Sequence, residues 1–258
     1  MFYVFPRPED IAHYVSIQIG QRFIRNNKVV LGLATGSTMK PVYAQLIEFY
    51  RQRPCSLDHV HCFNLDEYIG LKAEHPQSYA AYMQKHLYQH LPFVNDQLYL
   101  PCGQHWPTEA QCLEISKKIK SLGGIDLQLL GIGTNGHIGF NEPGTSFHSR
   151  THVVTLSEQT RKDNSRFFTD KNEMPTHAVT LGLKDISEAK EVYLLATGKQ
   201  KAPIMAQLQQ AEITETLPAS ILKKHPNAFF FVDKDAAEQL DPAQCTDYRF
   251  LLERSKSS

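Results

Sequence analysis

The stretch IDLQLLGIGTNGHIGFNEPG, residues 125–144, joins an apolar run to a glycine-rich loop. Gly131, Gly133 and Gly136 have the G-x-G-x-x-G spacing of a dinucleotide-binding turn. Such a turn opens a helix at its third glycine, and an acidic residue ends the next strand about 20 residues further on. Here a Pro-Gly pair soon disfavours a continuous helix, and the next apolar run, 151–156, contains no acid. We therefore reject a nicotinamide site in this loop.

Short apolar runs alternate with amphipathic stretches on both sides of the loop. The runs that predict strands are 29–34, 59–66, 97–102, 125–133, 151–156, 177–183, 191–197 and 228–234. The helical patterns are 8–27, 40–52, 78–91, 107–122 and 200–211. This alternation predicts right-handed crossovers and an α/β fold with a mostly parallel sheet covered on both faces. No linker or repeat interrupts it, so we expect one domain over 1–258.

Composition limits the partners. The chain has 27 basic and 27 acidic residues among 258, so its formal net charge is zero and we expect neither a nucleic-acid nor a membrane-surface binder. No leader or spanning stretch is evident, so we expect a cytoplasmic protein with a small-molecule partner. The 5 cysteines include no C-x-x-C pair, which favours reduced thiols over disulfides.

Two turns that follow predicted strands could bind phosphate. The first, ATGSTMKP, places Gly36, Ser37 and Thr38 directly ahead of a helix, where backbone N–H groups, hydroxyls and the helix dipole attract anions. The second, ATGKQKAPIM, places Lys199 and Lys201 in a first helical turn, where a cation is unfavourable unless an anion is present. We take Lys201 as the candidate ligand. An ordinary βα turn and an exposed lysine are the alternatives.

Acidic residues and a histidine follow two other strands. FNLDEY places Asp66 and Glu67 at a strand end, and because successive side chains point to opposite faces, at most one of them faces a ligand. In a partly desolvated crevice that carboxylate would serve as a general base, and otherwise as a helix cap or surface charge. The glycine-rich loop carries Asn135, His137 and Glu142. A histidine beside an oriented carboxylate can transfer protons at neutral pH; the alternative is that these are surface side chains of a loop without a functional role.

Metal binding is not expected. His86 and His90 have i, i+4 spacing, but no third ligand accompanies them. His59 and His61 share a strand face without completing a ligand set.

These segments, in this order, resemble the glucosamine-6-phosphate deaminase family (glucosamine/galactosamine-6-phosphate isomerases). The matching motifs are LGLATGST, FNLDEYIGL with HPQSY, GIGTNGHIGFNEPG, TRKDNSRFF, AVTLGL, TGKQKA and LPASILKKHP, which span nearly the whole chain. The resemblance implies a modified Rossmann-like three-layer sandwich. It also implies conversion of D-glucosamine 6-phosphate and water to D-fructose 6-phosphate and ammonia, without any cofactor or metal. Homo-oligomerisation stays open.

The resemblance also implies roles for individual residues. Asp66 would move the proton between C2 and C1 of the opened sugar, and His137 would assist ring opening, oriented by Asn135 and Glu142. The residues implied to hold the phosphate are Gly36, Ser37, Thr38, Arg166 and Lys201. The segment from about 157 to 175 would be a lid that excludes water.

Two positions depart from the family pattern. The best-known members have Asp where this chain has Asn135. The Asn135 side-chain oxygen can accept a hydrogen bond from an imidazole N–H but supplies no negative charge. Activated hexameric members carry basic residues where this chain has His152 and Val154, so we predict weak or absent activation by N-acetylglucosamine 6-phosphate.

Three other functions compete with this one. A galactosamine-6-phosphate deaminase differs only in the contacts to one hydroxyl. A 6-phosphogluconolactonase would not need Glu142 for ring opening. A non-catalytic sugar-phosphate sensor would leave Asp66, His137 and Glu142 together unexplained.

Overall fold

The computed structural model describes residues 1–25, 27–101, 103–165, 168 and 173–254, with side chains to 251. The strands are β1 (Phe2–Phe5), β2 (Val29–Leu33), β3 (Val60–Asn64), β4 (Asp66–Tyr68), β5 (Leu98–Tyr99), β6 (Leu127–Leu130), β7 (His152–Thr155), β8 (His177–Thr180), β9 (Glu191–Ala196), β10 (Ala228–Asp233) and β11 (Cys245–Asp247). The α-helices are α1 (Pro8–Ile24), α2 (Met39–Gln52), α3 (Tyr79–His86), α4 (Glu109–Ser121), α5 (Glu158–Ser165), α6 (Leu183–Ser187), α7 (Ala202–Gln210) and α8 (Arg249–Arg254).

The central sheet has eight strands in the order β11-β1-β10-β9-β6-β2-β3-β5, and all neighbours run parallel. Every residue of β2 is buried, which explains the continuous apolar run in its sequence. Helices flank the sheet; α1 packs against α2 and against β10. The predicted three-layer α/β sandwich with a mostly parallel sheet is confirmed.

A second sheet of three antiparallel strands, β4-β8-β7, was not predicted. The predicted strand 59–66 breaks at Leu65, whose N–H still bonds to Leu33 in the main sheet, while Asp66 pairs with Thr180 in the small one. The predicted strands 151–156 and 177–183 form the rest of this sheet. The small sheet therefore begins at Asp66, one residue after the Leu65 that follows β3.

Helix α1 shows how the sequence pattern produces the packing. Pro8 lies in its first turn, where no intrahelical N–H bond is lost. Ile11, Val15, Ile19 and Phe23 recur at every fourth residue and are all buried. Their shared stripe attaches the helix to the core.

Two short strands at the edge of the central sheet were missed. Strand β1 pairs with β10, and β11 pairs with β1 at the outside. The sequence of β11 is CTD, which has no apolar alternation that would indicate a strand.

The polar turns meet because the four strands that precede them are neighbours. In the order β9-β6-β2-β3, Leu130 pairs with Leu194 and Leu33 with Asn64, so these strands end at one level. The segments that follow them therefore share one edge of the sheet. Within the described part of the chain, no helix has the length and apolar character needed to cross a membrane.

Candidate active site

A cavity of about 440 Å³ opens at this edge of the sheet. Its lining residues are Ala34, Thr35, Gly36, Ser37, Thr38, Leu65, Asp66, Tyr79, Gly131, Ile132, Gly133, Thr134, His137, Gly139, Phe140, Asp163, Asn164, Leu195, Thr197, Gln200 and Lys201. The volume is that of a site for a small molecule. Asn135 and Glu142 do not line the cavity; they lie behind His137 and contact one another.

The turn that follows β2 forms one end of the cavity. Gly36 has φ of 107°, a conformation that glycine adopts without strain, and its carbonyl accepts a hydrogen bond from the Tyr82 hydroxyl at 2.7 Å. Ser37 and Thr38 follow on the cavity wall, and α2 begins directly after them at Met39. Hydroxyls and the N-terminus of a 14-residue helix thus face the same space, an arrangement suited to an anion.

Lys201 reaches the cavity from the turn that follows β9. The turn starts at Gly198, whose φ is 87° and whose N–H donates to the Asp233 carboxylate. The Lys201 ammonium donates to the Ile132 carbonyl at 2.6 Å, which holds it against the glycine-rich loop. Lys199 is exposed and does not line the cavity. Arg166, the other predicted phosphate ligand, lies outside the described residues.

The adjacent carboxylates of β4 have opposite surroundings. Asp66 is 6% exposed and lines the cavity. The Glu67 side chain points away and accepts backbone N–H bonds from Tyr68, Tyr79 and Ala80 at 2.8–2.9 Å, so it holds the N-terminus of α3. Only one of the pair faces the cavity, as strand alternation requires.

Burial sets the acidity of Asp66. Loss of solvation raises the pKa of its carboxyl well above the ordinary value, and the nearby Glu67 charge raises it further. A carboxylate whose pKa is raised in this way is a stronger base than a solvated one. Asp66 is therefore suited to take a proton from carbon and return it.

The glycine-rich loop orients His137 through two side chains. The imidazole Nδ1 lies 2.7 Å from the Asn135 Oδ1, and the Asn135 Nδ2 donates to the Glu142 Oε2 at 2.8 Å. A carboxylate only accepts, so the amide must turn its NH₂ toward Glu142 and its oxygen toward the imidazole. The Nδ1 therefore carries the proton, which leaves the Nε2 lone pair of the neutral ring free.

Close packing makes one glycine of this loop essential. A Cβ on Gly133 would lie 2.1 Å from the His137 ring, and the Gly133 N–H donates to the His137 carbonyl at 2.9 Å. The loop folds back on itself at this point. Gly133 thus allows the close approach of an imidazole.

The surroundings of His137 favour its neutral form. Burial lowers the pKa of its imidazole, the Glu142 charge acts in the opposite direction, and the Lys201 charge lowers it again. A neutral ring with a free Nε2 can accept a hydroxyl proton.

Sequence reasoning missed several residues that reach the site from other elements. Tyr79 comes from α3, and Asp163 and Asn164 come from α5, within the segment predicted as a lid. The Thr134 hydroxyl donates to the Asp163 carboxylate at 3.0 Å, and the Asn164 amide donates to the Tyr68 hydroxyl at 3.0 Å. Their only signal was their position inside the motifs HPQSY and TRKDNSRFF.

The histidines weighed as metal ligands do not converge. Among the described residues, no three His, Cys, Asp or Glu side chains come together as a metal site. The His90 Nε2 lies 3.1 Å from the Lys85 carbonyl, and the His86 ring contacts Tyr82.

The fold and the cavity together define a class: α/β proteins in which a glycine turn, a helix N-terminus, a buried carboxylate and an imidazole meet at one edge of a parallel sheet. A family model described as glucosamine-6-phosphate isomerases/6-phosphogluconolactonase matches residues 8–231. The chain belongs to this family, which confirms the resemblance noted in its motifs.

The chain is similar in sequence and structure to individual members of this family. The glucosamine-6-phosphate deaminase of Geobacillus sp. (strain WCH70) is 52% identical over 207 residues, which are 80% of this chain and 82% of that protein. A solved structure of a monomeric glucosamine-6-phosphate deaminase is 39% identical, with a TM-score of 0.89 over 92% of this chain and 99% of that one. A 6-phosphogluconolactonase from Trypanosoma brucei is 22% identical, with a TM-score of 0.71 over 93% and 98% of the two chains, and so shares the fold.

Proposed function

We propose that this chain converts D-glucosamine 6-phosphate and water to D-fructose 6-phosphate and ammonia. The observation that carries the proposal is a single cavity that holds an anion cradle, a buried carboxylate and an oriented neutral imidazole. The relatives that cover most of the chain at 42–52% identity are named for this reaction. A lactone hydrolase would have no use for a base that moves a proton between two carbons.

The phosphate would bind at the end of the cavity formed by Gly36, Ser37 and Thr38. Backbone N–H groups and the start of α2 attract its charge, and the Lys201 ammonium supplies a point charge from the opposite turn. Anchoring the phosphate places the rest of the sugar along the cavity, toward Asp66 and His137.

His137 catalyses the opening of the sugar ring. Its free Nε2 takes the proton of the C1 hydroxyl as the bond between C1 and the ring oxygen breaks, and the proton then passes to that oxygen. Asn135 and Glu142 hold the ring in the tautomer that can accept. The product of this step is an open-chain aldehyde at C1.

Isomerisation and deamination follow from the aldehyde. The carbonyl acidifies the C2 proton, and Asp66 takes it. The C2–H electron pair forms the C1–C2 double bond, and the former carbonyl π pair moves to O1, which takes a proton from water and completes an enolamine. Asp66 then returns the proton to C1, which leaves a ketimine at C2. Water adds to C2, and ammonia leaves with the nitrogen electron pair, giving the ketose phosphate.

The test is ammonia release from purified protein with glucosamine 6-phosphate, its galactosamine epimer and 6-phosphogluconolactone in parallel. We expect ammonia from the first. Faster release from the epimer would reassign the substrate within the same reaction. Acid production from the lactone with no ammonia from either amino sugar would overturn the proposal.

A further inference from the structure

The first turn of helix α5 contacts the group that orients His137. Ser157 precedes the helix, and its hydroxyl accepts the Thr160 backbone N–H at 3.1 Å, which caps the helix N-terminus. Thr160 is 2% exposed, so its side chain is buried against the loop that carries Glu142. The site described so far assigns no role to this hydroxyl.

The hydroxyl of Thr160 has a fixed donor and a fixed acceptor. Its oxygen accepts from the Ser157 hydroxyl at 3.1 Å, and its O–H donates to the Glu142 Oε1 at 2.5 Å. The same oxygen lies 3.5 Å from the His137 Nδ1, a distance too long for a strong hydrogen bond. The opposite oxygen of the same carboxylate accepts from Asn135. The Glu142 carboxylate therefore accepts one hydrogen bond from α5 and another, on its second oxygen, from the glycine-rich loop.

We propose that Thr160 is a positioning residue, which holds the Glu142 carboxylate where it fixes the amide of Asn135 and, through it, the tautomer of His137. The inference rests on the proposed deaminase function. Without the hydroxyl, the Ser157 backbone N–H at 3.4 Å is the one donor to Oε1 that remains among the described residues. That contact is too long to hold the carboxylate plane.

A loosened carboxylate has a specific chemical consequence. Once Glu142 no longer fixes the NH₂ side, the Asn135 amide is held against a flip mainly by the long 3.2 Å hydrogen bond from the His137 backbone N–H to its oxygen. A flipped amide would donate its NH₂ to the His137 Nδ1. The ring proton then moves to Nε2, because Nδ1 has become an acceptor. An Nε2 that carries a proton cannot take one from the sugar hydroxyl, so ring opening is lost while substrate binding is kept.

The experiment compares Thr160→Val, which keeps the shape and removes the hydroxyl, with Thr160→Ser, which keeps the hydroxyl. Loss of one hydrogen bond to a charged group predicts a fall in kcat of about 10- to 100-fold for Thr160→Val, with KM within about threefold of wild type. Thr160→Ser should recover most of kcat. Glu158→Gln, on the exposed side of the same first turn, is the matched control and should behave as wild type.

Two further measurements separate positioning from folding. Glucosaminitol 6-phosphate, the reduced open-chain form, needs no ring opening, so Thr160→Val should bind it as wild type does by calorimetry. Histidine ¹⁵N NMR should show His137 protonated on Nδ1 in wild type and on Nε2 in Thr160→Val. Thr160→Ala serves in place of Thr160→Val if the latter does not fold.

The inference is overturned if wild type releases ammonia and Thr160→Val does so equally fast. It is also overturned if Thr160→Ser is as impaired as Thr160→Val, or if binding of the open-chain ligand falls together with kcat. If wild type itself releases no ammonia, the proposed function fails first, and the NMR comparison still tests the tautomer.

Discussion

Two carboxylates of the candidate site, Asp66 on the cavity wall and Glu142 behind His137, have opposite surroundings. Asp66 is buried, and the hydrogen bonds found among the described residues include none to its side chain. Glu142 accepts from Asn135 on one oxygen and from Thr160 on the other. Hydrogen bonds to a carboxylate fix its position, while burial without them strengthens it as a base. The difference teaches which group is built to exchange a proton and which to hold another side chain still.

The same contrast recurs between chain neighbours. Asp66 faces the cavity, whereas Glu67 is held by three backbone N–H groups at the start of α3. Because successive side chains of a strand point to opposite faces, one carboxylate faces the cavity and the other caps a helix.

The largest effect is expected for Asp66→Asn. The amide has nearly the same shape but cannot take the C2 proton, so kcat should fall by about 10²- to 10⁴-fold. Ammonia release measures it, and calorimetry with glucosaminitol 6-phosphate shows whether the cavity still binds. Full turnover in this variant would remove Asp66 from the role of base and leave the family assignment intact.

The next largest effect is expected for His137→Gln. Its kcat should fall by about 10²-fold, because the open-chain aldehyde would form only at its spontaneous rate. The pH profile of the wild type checks the same group. Burial lowers the pKa of His137 and raises that of Asp66, and both must be unprotonated to act. The rate should therefore fall as the pH drops through the raised pKa of Asp66 and the lowered pKa of His137. A rate that rises toward acid pH would contradict both assignments.

Lys201→Ala should weaken phosphate binding rather than chemistry. Losing one charge-assisted contact predicts a KM raised about tenfold or more, with a smaller change in kcat. Lys199→Ala is the matched control, because Lys199 lies two residues away in the same turn and is exposed. Equal effects of the two substitutions would mean that general charge, not a contact, attracts the substrate.

Glu67→Gln sharpens the contrast between the neighbouring carboxylates. Removing the Glu67 charge should lower the pKa of Asp66, so the acid limb of the pH profile should move to lower pH. The amide also places an NH₂ group against backbone N–H donors of α3, which should cost about 1–3 kcal/mol of unfolding free energy. Rate profiles and denaturant titration measure the two effects separately. An acid limb displaced to higher pH would refute the electrostatic link.

The smallest effect concerns regulation. His152 and Val154 lie on β7, and the His152 Nδ1 is 2.8 Å from the Arg150 carbonyl, so neither position offers a permanent cation to an anionic effector. Saturation curves with and without N-acetylglucosamine 6-phosphate should coincide. Sigmoidal curves that the effector makes hyperbolic would show that another part of the chain binds it.

The sequence by itself determined the alternation of strands and helices. It also pointed to the turn at residues 36–38 and to Asp66 and His137, which line one cavity, and to Asn135 and Glu142 behind His137. The strands could be predicted because the buried strands of a parallel sheet are continuous apolar runs. The site residues could be predicted because ligands of such a sheet bind beyond the carboxyl ends of its strands. Hydrophobic periodicity and turn chemistry are local properties, and they can be read without knowing the partners of each segment.

Only the tertiary structure decided the rest. The antiparallel sheet of β4, β8 and β7 depends on strand direction, which the apolar period of a segment does not encode. Glu67 caps a helix that begins 12 residues later, and Thr160 completes the hydrogen bonding of a carboxylate 18 residues earlier. Such roles depend on which polar groups become buried together, and unpaired buried groups are costly, so the folded chain must bring donors and acceptors together across distances that no local pattern specifies.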